Sequence, residues 1–283
     1  MRLATVDCAG RAVAVVERDG GLYRLDGPGG GTLGALVAAG PEVVRAVVDA
    51  AVEPVQATRY LAPLRPGKIV AIGLNYLDHI REAGVEPPSN PLVFAKFPSS
   101  VIGSGDAIVV DAELTKDVDW EVELGVVLGR PLRNADKDEA MAAIAGYTVA
   151  NDVSARDLQF GDGQWVRGKS LDTFCPLGPV LVTPDEVADP QALALRTRVN
   201  GQLVQDSSTA EMLFGIAELL SYCSRAFTLE PGDLVLTGTP WGCGAFMDPP
   251  RRLAPGDVLE TEIEGIGVLV NPVVGAEARP GRP

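Results

Sequence analysis

The residues best suited to chemistry lie in an alternating acidic and apolar stretch of the 283-residue chain, between residues 117 and 127. The period of two predicts a β-strand with Asp119, Glu121 and Glu123 on one face and apolar side chains on the other. Residues two apart on a strand are about 6.5–7 Å apart along it, so these long side chains can converge on one point. Crowded carboxylates near a core need a cation, and hard oxygen ligands without a nearby His or Cys suit Mg²⁺, Mn²⁺ or Ca²⁺ rather than zinc. On spacing alone, a solvated acidic strand face explains the pattern equally well.

A second pair of polar side chains follows a predicted buried strand at 68–72. His79 is the only histidine of the chain, and Glu82 comes three residues later. In a short helix over 73–82 the two side chains share one face and can form a hydrogen bond. The Gly- and Pro-rich loop at 83–91 is placed to act as a lid beside this pair. A lone histidine is more often incidental, so the pair by itself does not establish a site.

Composition limits the partners that the chain can bind. It carries 24 basic and 38 acidic residues, a formal net charge of −14. This balance disfavours nucleic-acid phosphates and anionic membranes, and it means that an anionic substrate needs a local cation. Hydrophobic residues make up 46% of the chain, which supports a substantial core. The length suits either one large domain or a large domain with a small appendage.

Cysteine usage and the N-terminus predict an intracellular location. The widely spaced Cys8, Cys175, Cys223 and Cys243 contain no CxxC pair, which suits a reducing compartment and neither a disulfide scaffold nor a zinc site. The apolar run at 12–16 is too short for a signal peptide. No stretch approaches the roughly 20 apolar residues of a membrane span. We therefore expect a cytoplasmic protein with no membrane or nucleic-acid partner.

Turn residues divide the chain into three parts. Residues 1–62 predict a small N-terminal α/β domain, and a Pro- and Gly-rich turn at 63–67 marks its end. Residues 63–275 are rich in strands with few βαβ alternations, and 276–283 predict a flexible tail. We therefore expect an α+β, strand-rich fold, built as a mixed and mostly antiparallel sandwich or roll.

Helical periodicity predicts helices over 41–51, 137–144 and 209–225, the last being the longest. Asn200-Gly201, between two alternating segments, predicts a β-hairpin. These elements, together with the acidic strand, form the framework that must position the site residues.

Five motifs, taken together and in order, resemble one family, the fumarylacetoacetate hydrolase superfamily. They are Gly73-Leu74-Asn75-Tyr76-x-x-His79-x-x-Glu82, Glu121-x-Glu123-Leu124, Asn151-Asp152-x-Ser154-Ala155-Arg156-Asp157, Gly168-Lys169-Ser170-x-Asp172-Thr173-Phe174 and Thr237-Gly238-Thr239-Pro240. The match runs from about residue 68 to residue 273. Within that superfamily, the chain is similar to acylpyruvate hydrolases and 2-hydroxyhepta-2,4-diene-1,7-dioate isomerases. The resemblance implies a mixed β-sandwich roll after the small N-terminal domain, and a homodimer.

The resemblance also implies roles for individual residues. The implied ligands of a divalent cation, Mg²⁺ or Mn²⁺ with Ca²⁺ as an alternative, are Glu121, Glu123 and Asp152. The implied catalytic residues are His79 and Glu82, which activate water, and Lys169, which lies near metal and substrate. The implied substrate contacts are Gln159, Thr239, Gly238 and Arg156. The substrate class implied is a small anionic keto acid.

The chemistry predicted from these roles is hydrolytic cleavage of a carbon–carbon bond in an acylpyruvate, a 2,4-dioxo acid. His79, oriented by Glu82, takes a proton from water, and the metal and Lys169 stabilise the enolate that leaves. Decarboxylation of oxaloacetate-like acids and isomerisation of 2-hydroxy-dienedioates use the same enolate and stay as alternatives. A non-catalytic metal- and carboxylate-binding protein is a further alternative, although a pure binder has no need for a water-activating pair.

Three weaker signals complete the predictions. Lys96 can pair with a site carboxylate or lie along a sheet edge, and we favour the structural role. We expect Arg156 and Asp157 to form a supporting salt bridge. Cys175 and Cys243 lie near the predicted site loops, but nothing in their local sequence suggests a reactive thiol.

Overall fold

The structure, a computed structural model, describes residues 1–278, so most of the tail predicted at 276–283 lies outside the described residues. Its strands are β1 (Arg2–Cys8), β2 (Arg11–Arg18), β3 (Gly21–Arg24), β4 (Arg59–Leu61), β5 (Ile69–Gly73), β6 (Leu92–Lys96), β7 (Val101–Ile102), β8 (Ile108–Val110), β9 (Val118–Asp119), β10 (Val122–Leu128), β11 (Ile144–Asn151), β12 (Ser154–Ala155), β13 (Cys175–Val182), β14 (Ala194–Val199), β15 (Gln202–Ser208), β16 (Leu234–Leu236), β17 (Val258–Ile263) and β18 (Gly267–Gly275). Its α-helices are α1 (Leu33–Ala39), α2 (Pro41–Ala50), α3 (Leu77–Ala83), α4 (Lys137–Ala142), α5 (Arg156–Gly161), α6 (Val166–Lys169) and α7 (Ile216–Ala226). Strands exceed helices, as predicted.

The largest sheet carries the acidic strand at its centre. Its strand order is β3-β2-β1-β13-β11-β10-β16-β5-β6, with β4 beside β1 and β7 beside β13. Most neighbours are antiparallel, whereas β16 and β5 run parallel. Every residue of β10 is buried, because this strand is flanked on both edges and covered on both faces. Glu123, in the middle of that strand, is therefore held inside the protein.

A second sheet packs over the first and closes the core. Its strand order is β15-β14-β17-β18-β8. Leu195, Ile263 and Leu269 of this sheet share one apolar cluster with Val126 and Val149 of the larger sheet. Two mixed sheets that bury their inner faces against each other form a sandwich. The strand-rich α+β sandwich expected from the sequence is confirmed.

The first 62 residues are joined to the rest of the molecule through the large sheet. In β1, Leu3 pairs with Leu181 of β13, and β1 also pairs with β2 and β4. Leu33 and Leu36 of α1 belong to the same apolar cluster as Leu181. The segment thus shares a sheet and a core cluster with the remaining chain, and a domain boundary at residue 62 stays a prediction.

The acidic strand is interrupted where the sequence predicts continuity. Strand β9 ends at Asp119 and β10 begins at Val122, so Trp120 and Glu121 lie in a break. Side chains take over the backbone hydrogen bonds there: Asp119 Oδ1 accepts from the Trp120 N–H at 2.9 Å, and Asn151 Oδ1 accepts from the Glu121 N–H at 3.0 Å. The break ends the strict alternation, so Asp119 does not join the two glutamates.

The longest helix begins later than its periodicity predicts. Residues 209–211 form a 3₁₀ turn, and α7 starts only at Ile216. Asn75 binds the intervening segment, since its carbonyl accepts from the Leu213 N–H at 2.7 Å and its side chain accepts from the Phe214 N–H at 2.9 Å. Those amides are therefore not available to a helix. Within residues 1–278, no helix is long and apolar enough to cross a membrane.

Candidate active site and metal centre

Three buried carboxylates meet at one end of the central strands. Glu121 lies in the break before β10, Glu123 in β10 itself, and Asp152 directly after β11. Strand pairing places Val122 opposite Asn151, and the Asp152 N–H donates to the Glu121 carbonyl at 2.9 Å. One oxygen of each carboxylate lies within 4.8 Å of the others. All three residues are at most 5% exposed, so their charges need compensation from within the protein.

Two buried lysines supply part of that compensation. Lys169 Nζ donates to Glu121 Oε2 at 2.7 Å and to Asp152 Oδ2 at 2.9 Å. Lys96 Nζ lies 2.6 Å from Asp152 Oδ1, and it also donates to the carbonyls of Lys169 and Val153. Lys96 therefore faces the carboxylate cluster, although we favoured a purely structural place at a sheet edge. It combines both positions, because β6 is an edge strand and its last side chain points inward.

Arg156 connects the cluster to Asp119. Its Nε donates to Asp119 Oδ2 at 2.9 Å, its Nη1 lies 2.6 Å from Glu121 Oε1, and the same Nη1 donates to Gln159 Oε1 at 2.9 Å. The predicted salt bridge between Arg156 and Asp157 is wrong, because Asp157 is bonded elsewhere. Successive side chains on a helix point about 100° apart, so these two neighbours at the start of α5 face different directions.

These contacts shift the pKa values of the clustered groups in opposite directions. Burial disfavours the charged form of Glu121, but Lys169 and Arg156 outweigh it and lower its pKa to about 2. Burial, together with the charges of Asp152 and Glu121, raises the pKa of Glu123 well above its usual range. For Lys169, burial opposes the charge but the same two carboxylates raise its pKa above the usual value. Burial and the neighbouring charges thus act in opposite directions on adjacent carboxyl groups of the cluster.

The histidine and glutamate of α3 form the predicted pair. His79 Nδ1 and Glu82 Oε2 are 3.1 Å apart, as expected for residues three apart on a helix. The other oxygen of Glu82 accepts from the Gly242 N–H at 2.9 Å. The ring of Phe246 packs edge-on against the imidazole, with ring centres 5.2 Å apart. Both members of the pair are therefore fixed in orientation.

One cavity of about 230 Å³ brings the two groups together. Its polar lining comprises His79, Glu121, Glu123, Arg156, Gln159, Lys169 and Thr239. Its apolar lining includes Ile72, Leu74, Phe94, Phe160, Trp165 and Phe246. Ala83 and Val85, at the start of the loop predicted to act as a lid, also border it. His79 thus opens onto the same space as Glu121 and Glu123 of the carboxylate cluster.

The four residues predicted to contact substrate occupy two kinds of position. Arg156, Gln159 and Thr239 line the cavity. Gly238 instead donates its N–H to Glu123 Oε2 at 2.8 Å. Its φ is +98°, and a Cβ there would lie 2.9 Å from the Cβ of Asn75, so glycine is required to hold this carboxylate.

Asp119 has a structural role that the sequence pattern did not reveal. Its Oδ1 accepts from the Gly244 N–H at 2.7 Å, and its Oδ2 accepts from the Ala245 N–H at 3.0 Å and from Arg156. It therefore fixes the turn that carries Phe246 against the histidine. For Lys96, the sequence did contain an indication of a buried role, because this charged residue ends an apolar strand. For Asp119 it did not, because the alternation places Asp119 on the same face as the two glutamates.

The donor set of the cluster fits a hard divalent cation. All three donors are carboxylates, which Mg²⁺, Mn²⁺ and Ca²⁺ prefer. Asp152 Oδ1 is buried without a well-formed hydrogen bond, although Lys96 is nearby. A buried acceptor of this kind has room for a further polar partner, such as a bound ion. The residues present are thus suited to a divalent metal, and the positive charges of the two neighbouring lysines do not exclude one.

Relatives of known name match about three quarters of this chain. An oxaloacetate tautomerase, mitochondrial, from Rattus norvegicus is 50% identical over 217 residues, which are 76% of this chain and 69% of the relative. Proteins of the same name from Bos taurus and Homo sapiens are 51% and 49% identical over 218 residues, with the same coverage. Their names contradict the cytoplasmic location expected from the sequence, since all three are mitochondrial. They also fit the predicted alternative, a reaction of an oxaloacetate-like acid, better than they fit hydrolysis of an acylpyruvate.

Solved structures match nearly the whole chain. A fumarylacetoacetate hydrolase from Exiguobacterium antarcticum is 39% identical with a TM-score of 0.87, covering 97% of this chain and 99% of that one. A 5-carboxymethyl-2-hydroxymuconate delta-isomerase from Mycobacterium smegmatis is 36% identical with a TM-score of 0.79, covering all of both chains. A 2-hydroxyhepta-2,4-diene-1,7-dioate isomerase from Mycobacterium marinum is 33% identical with a TM-score of 0.76, covering 98% and 99%.

The family profile agrees with these neighbours. The profile described as fumarylacetoacetate (FAA) hydrolase C-terminal matches residues 68–274. That range holds the carboxylate cluster, the histidine pair and the cavity between them. Members of the family are enzymes that act on small keto acids and typically use a divalent metal. The chain therefore belongs to the fumarylacetoacetate hydrolase family.

Proposed function

We propose that the chain is a divalent-metal-dependent enzyme that interconverts the keto and enol forms of oxaloacetate by proton transfer at carbon 3. The observation that carries the proposal is one cavity lined both by His79, paired with Glu82, and by the carboxylates Glu121 and Glu123. A tautomerase needs a base beside the carbon and positive charge beside the oxygen. His79 would be the base, and a divalent cation held by the carboxylates would supply the positive charge. The choice of oxaloacetate is supported by the names of relatives that are about 50% identical to this chain.

In this proposal Glu121, Glu123 and Asp152 would hold Mg²⁺ or Mn²⁺, with Ca²⁺ as an alternative of the same hard class. When bound, such a cation supplies Lewis acidity toward the carboxylate and 2-oxo oxygens of the substrate, which makes the adjacent C–H bond more acidic. The chain itself supplies further positive charge from Lys169 and Arg156, which both line the cavity. A dianionic substrate can therefore enter a protein whose net charge is −14.

His79 is the proposed base. Its Nδ1–H donates to Glu82, which leaves the other ring nitrogen to take a proton from carbon 3 of the keto form and to give it to the 2-oxo oxygen of the resulting enolate, which yields the enol. The reverse reaction moves the proton from the enol oxygen back to carbon 3 by the same two transfers. Glu82 also stabilises the imidazolium that forms, and the Gly242 N–H keeps this carboxylate in place. General-base catalysis by a positioned side chain typically contributes about 10²–10⁴-fold to the rate.

The remaining polar residues of the cavity bind and orient the substrate. Lys169 offers an ammonium group to the oxygen on which negative charge develops. Arg156 and Gln159, joined by a 2.9 Å hydrogen bond, are placed to bind a substrate carboxylate, for which guanidinium is well shaped. Thr239 adds a hydroxyl group, which Gln205 orients by donating to it at 3.0 Å.

The main prediction from the sequence is hydrolysis of an acylpyruvate. In that reaction His79 would take a proton from water instead of from carbon 3. The names of the curated relatives favour chemistry that forms and consumes an enol, so tautomerisation or decarboxylation of oxaloacetate fits them better. A second candidate is isomerisation of a 2-hydroxy-dienedioate. It is favoured by isomerases of this kind whose structures match almost the whole chain.

The deciding experiment supplies Mg²⁺ or Mn²⁺ and compares substrates. We expect faster disappearance of the ultraviolet absorbance of enol-oxaloacetate than in buffer, without release of carbon dioxide. Carbon dioxide release would instead indicate a decarboxylase, and formation of pyruvate plus a second acid from an acylpyruvate would indicate a hydrolase. Turnover of a 2-hydroxy-dienedioate alone would indicate an isomerase. A lack of turnover with every compound would favour a binding protein.

The variant that tests the role of the histidine in this reaction is His79→Ala. We expect it to lower kcat for tautomerisation by about 10²–10⁴-fold, because the base is removed, and to leave Mn²⁺ affinity unchanged, because no metal-binding carboxylate is altered. Glu53→Gln, at an exposed position outside the cavity lining, is the control and should keep full activity. Wild-type turnover in His79→Ala would remove the histidine from the mechanism.

The family resemblance also predicts that the chain forms a homodimer. We expect sedimentation equilibrium to give twice the 29.6 kDa mass of the chain. Large apolar side chains on the surface of the described residues, such as Phe97 and Phe160, are consistent with a buried interface in an assembly. A single species at the monomer mass would contradict this expectation.

A further inference from the structure

A second group of metal-binding side chains lies at the edge of the cavity, in the part of the chain that the structure describes. It comprises His79 and Glu82 of α3 together with Cys243 of the turn that follows β16. One ligand atom from each residue lies within 4.8 Å of the other two. Cys243 is fully buried, and the His79 and Glu82 side chains are only 8% and 15% exposed. Whereas the first cluster offers only oxygen, this one offers sulfur, nitrogen and oxygen.

The group is held in place by contacts between α3 and the turn. Gly242, directly before the cysteine, donates its N–H to Glu82 Oε1 at 2.9 Å. The sulfur of Cys243 lies 3.9 Å from the side-chain nitrogen of Gln205, and Phe246 packs against the imidazole. Because both segments are already tied together, the three donors can converge on one ion without a large rearrangement.

The donor types select a particular class of metal. Thiolate, imidazole and carboxylate together suit Zn²⁺ and its analogue Cd²⁺, whereas Mg²⁺ and Ca²⁺ prefer oxygen alone. Three protein ligands leave one position of a tetrahedral ion open. Burial raises the pKa of the Cys243 thiol well above its usual range, so the metal must displace the thiol proton, which is released to solvent.

We propose that His79, Glu82 and Cys243 form an inhibitory zinc site, distinct from the carboxylate cluster that suits a hard cation. Bound zinc would engage both members of the proton-transferring pair and so stop turnover. The inhibition rests on the proposed role of His79, whereas zinc binding does not.

Binding is tested with Cd²⁺, because cadmium–thiolate bonds absorb in the ultraviolet and bonds to imidazole or carboxylate alone do not. Protein saturated with Mg²⁺ is titrated with Cd²⁺ in a thiol-free reducing buffer. We expect a thiolate band in the wild type and in Cys223→Ser, and its loss in Cys243→Ser. Cys223 is the matched control, since it is also buried but lies in α7. Cys243→Ala is the second variant, for which circular dichroism checks folding. Absence of the band in the wild type, or its persistence without Cys243, would overturn the site.

Inhibition is tested by titrating turnover with Zn²⁺ at saturating Mg²⁺ and comparing each variant with its own zinc-free rate. We expect Cys243→Ser to need more than about a hundredfold more zinc than the wild type, because a direct ligand is lost and loss of an outer partner alone typically costs about 10–100-fold in metal affinity. Equal zinc sensitivity of both proteins would overturn the proposal, since zinc would then act at the carboxylate cluster. A thiolate band without inhibition would overturn the inhibitory role and argue against His79 as the base. If the wild-type protein turns over substrate but shows no cadmium–thiolate band, the zinc site is overturned and the proposed function is not.

Discussion

At the scale of single residues, the site is governed by the balance of buried charge. The buried acids are Asp119, Glu121, Glu123 and Asp152, and the buried bases that touch them are Lys96, Lys169 and Arg156. Formally, one negative charge is left uncompensated. Burial, followed by the charges of Asp152 and Glu121, raises the pKa of Glu123. A divalent cation would reverse the sign to a surplus of one positive charge. An anionic substrate would then be attracted to a site that is otherwise neutral or negative.

The first prediction concerns Glu123→Gln. We expect this change to weaken Mn²⁺ binding by more than about a hundredfold, because an amide replaces a charged ligand. The amide oxygen can still accept from the Gly238 N–H, so the fold should be retained. Isothermal titration with Mn²⁺ measures the affinity, and thermal melting without metal checks the fold. Mn²⁺ affinity equal to that of the wild type would contradict Glu123 as a ligand.

The second prediction concerns Lys169→Met, which removes the ammonium group between Glu121 and Asp152. We expect kcat to fall by about 10²–10³-fold, as for loss of one preorganised electrostatic donor, because charge on the substrate oxygen is no longer stabilised. The control is Lys137→Met, since Lys137 makes only an exposed ion pair with Glu218. Steady-state kinetics measures the effect. A change of less than threefold at Lys169 would exclude it from catalysis.

At the scale of elements, the interruption between β9 and β10 builds the site. It frees the backbone of Trp120 and Glu121 from the strand ladder and directs neighbouring acids to different partners. Glu121 joins the carboxylate cluster, whereas Asp119 binds Arg156 and the turn at 244–245. A continuous strand would put both acids on one face. The break therefore separates a residue that positions the turn from residues that can hold a cation.

The third prediction compares two acids of this segment. Asp119→Ala should lower the free energy of unfolding by about 3–5 kcal/mol, because it leaves Arg156 buried with one partner fewer. Asp117→Ala should lower it by less than about 1 kcal/mol, because Asp117 pairs with Arg252 at the surface. Urea unfolding measures both values. Similar losses in the two variants would show that the buried contacts of Asp119 do not support the segment.

At the scale of the whole molecule, the N-terminal segment and the site-bearing sandwich share one sheet. Leu3 of β1 pairs with Leu181 of β13, and β13 in turn pairs with β11, which leads to Asp152. Leu177 and Leu181 are fully buried in a cluster that includes helix α1. Removal of the first 62 residues would expose this cluster and an unpaired strand edge.

The fourth prediction is that residues 63–283 expressed alone will not fold stably. We expect low solubility and no cooperative thermal transition, because β13 loses its neighbour and its apolar cover. Circular dichroism melting of the truncated chain, with and without co-expressed residues 1–62, measures this. A cooperative melt within a few degrees of that of the full chain would show that the segment is dispensable.

The sequence by itself determined the family, and it placed His79 and Glu82 in contact. The spacing of His79 and Glu82 was enough for their contact, because a helix brings residues three apart together. The ordered motifs likewise selected the family and its strand-rich fold. Motif spacing could not choose between hydrolysis and other reactions of an enolate, since these reactions share the same residues.

Only the tertiary structure decided which charges meet across the chain. Lys96 reaches Asp152 from 56 positions away along the sequence, and Cys243 reaches His79 from a separate turn. Local periodicity contains no information on such long-range pairs, because they depend on how strands and turns pack. The same applies to Asp119, which the alternation grouped with Glu121 until the break in the strand separated them. Local spacing thus determines neighbours within an element, and packing determines neighbours between elements.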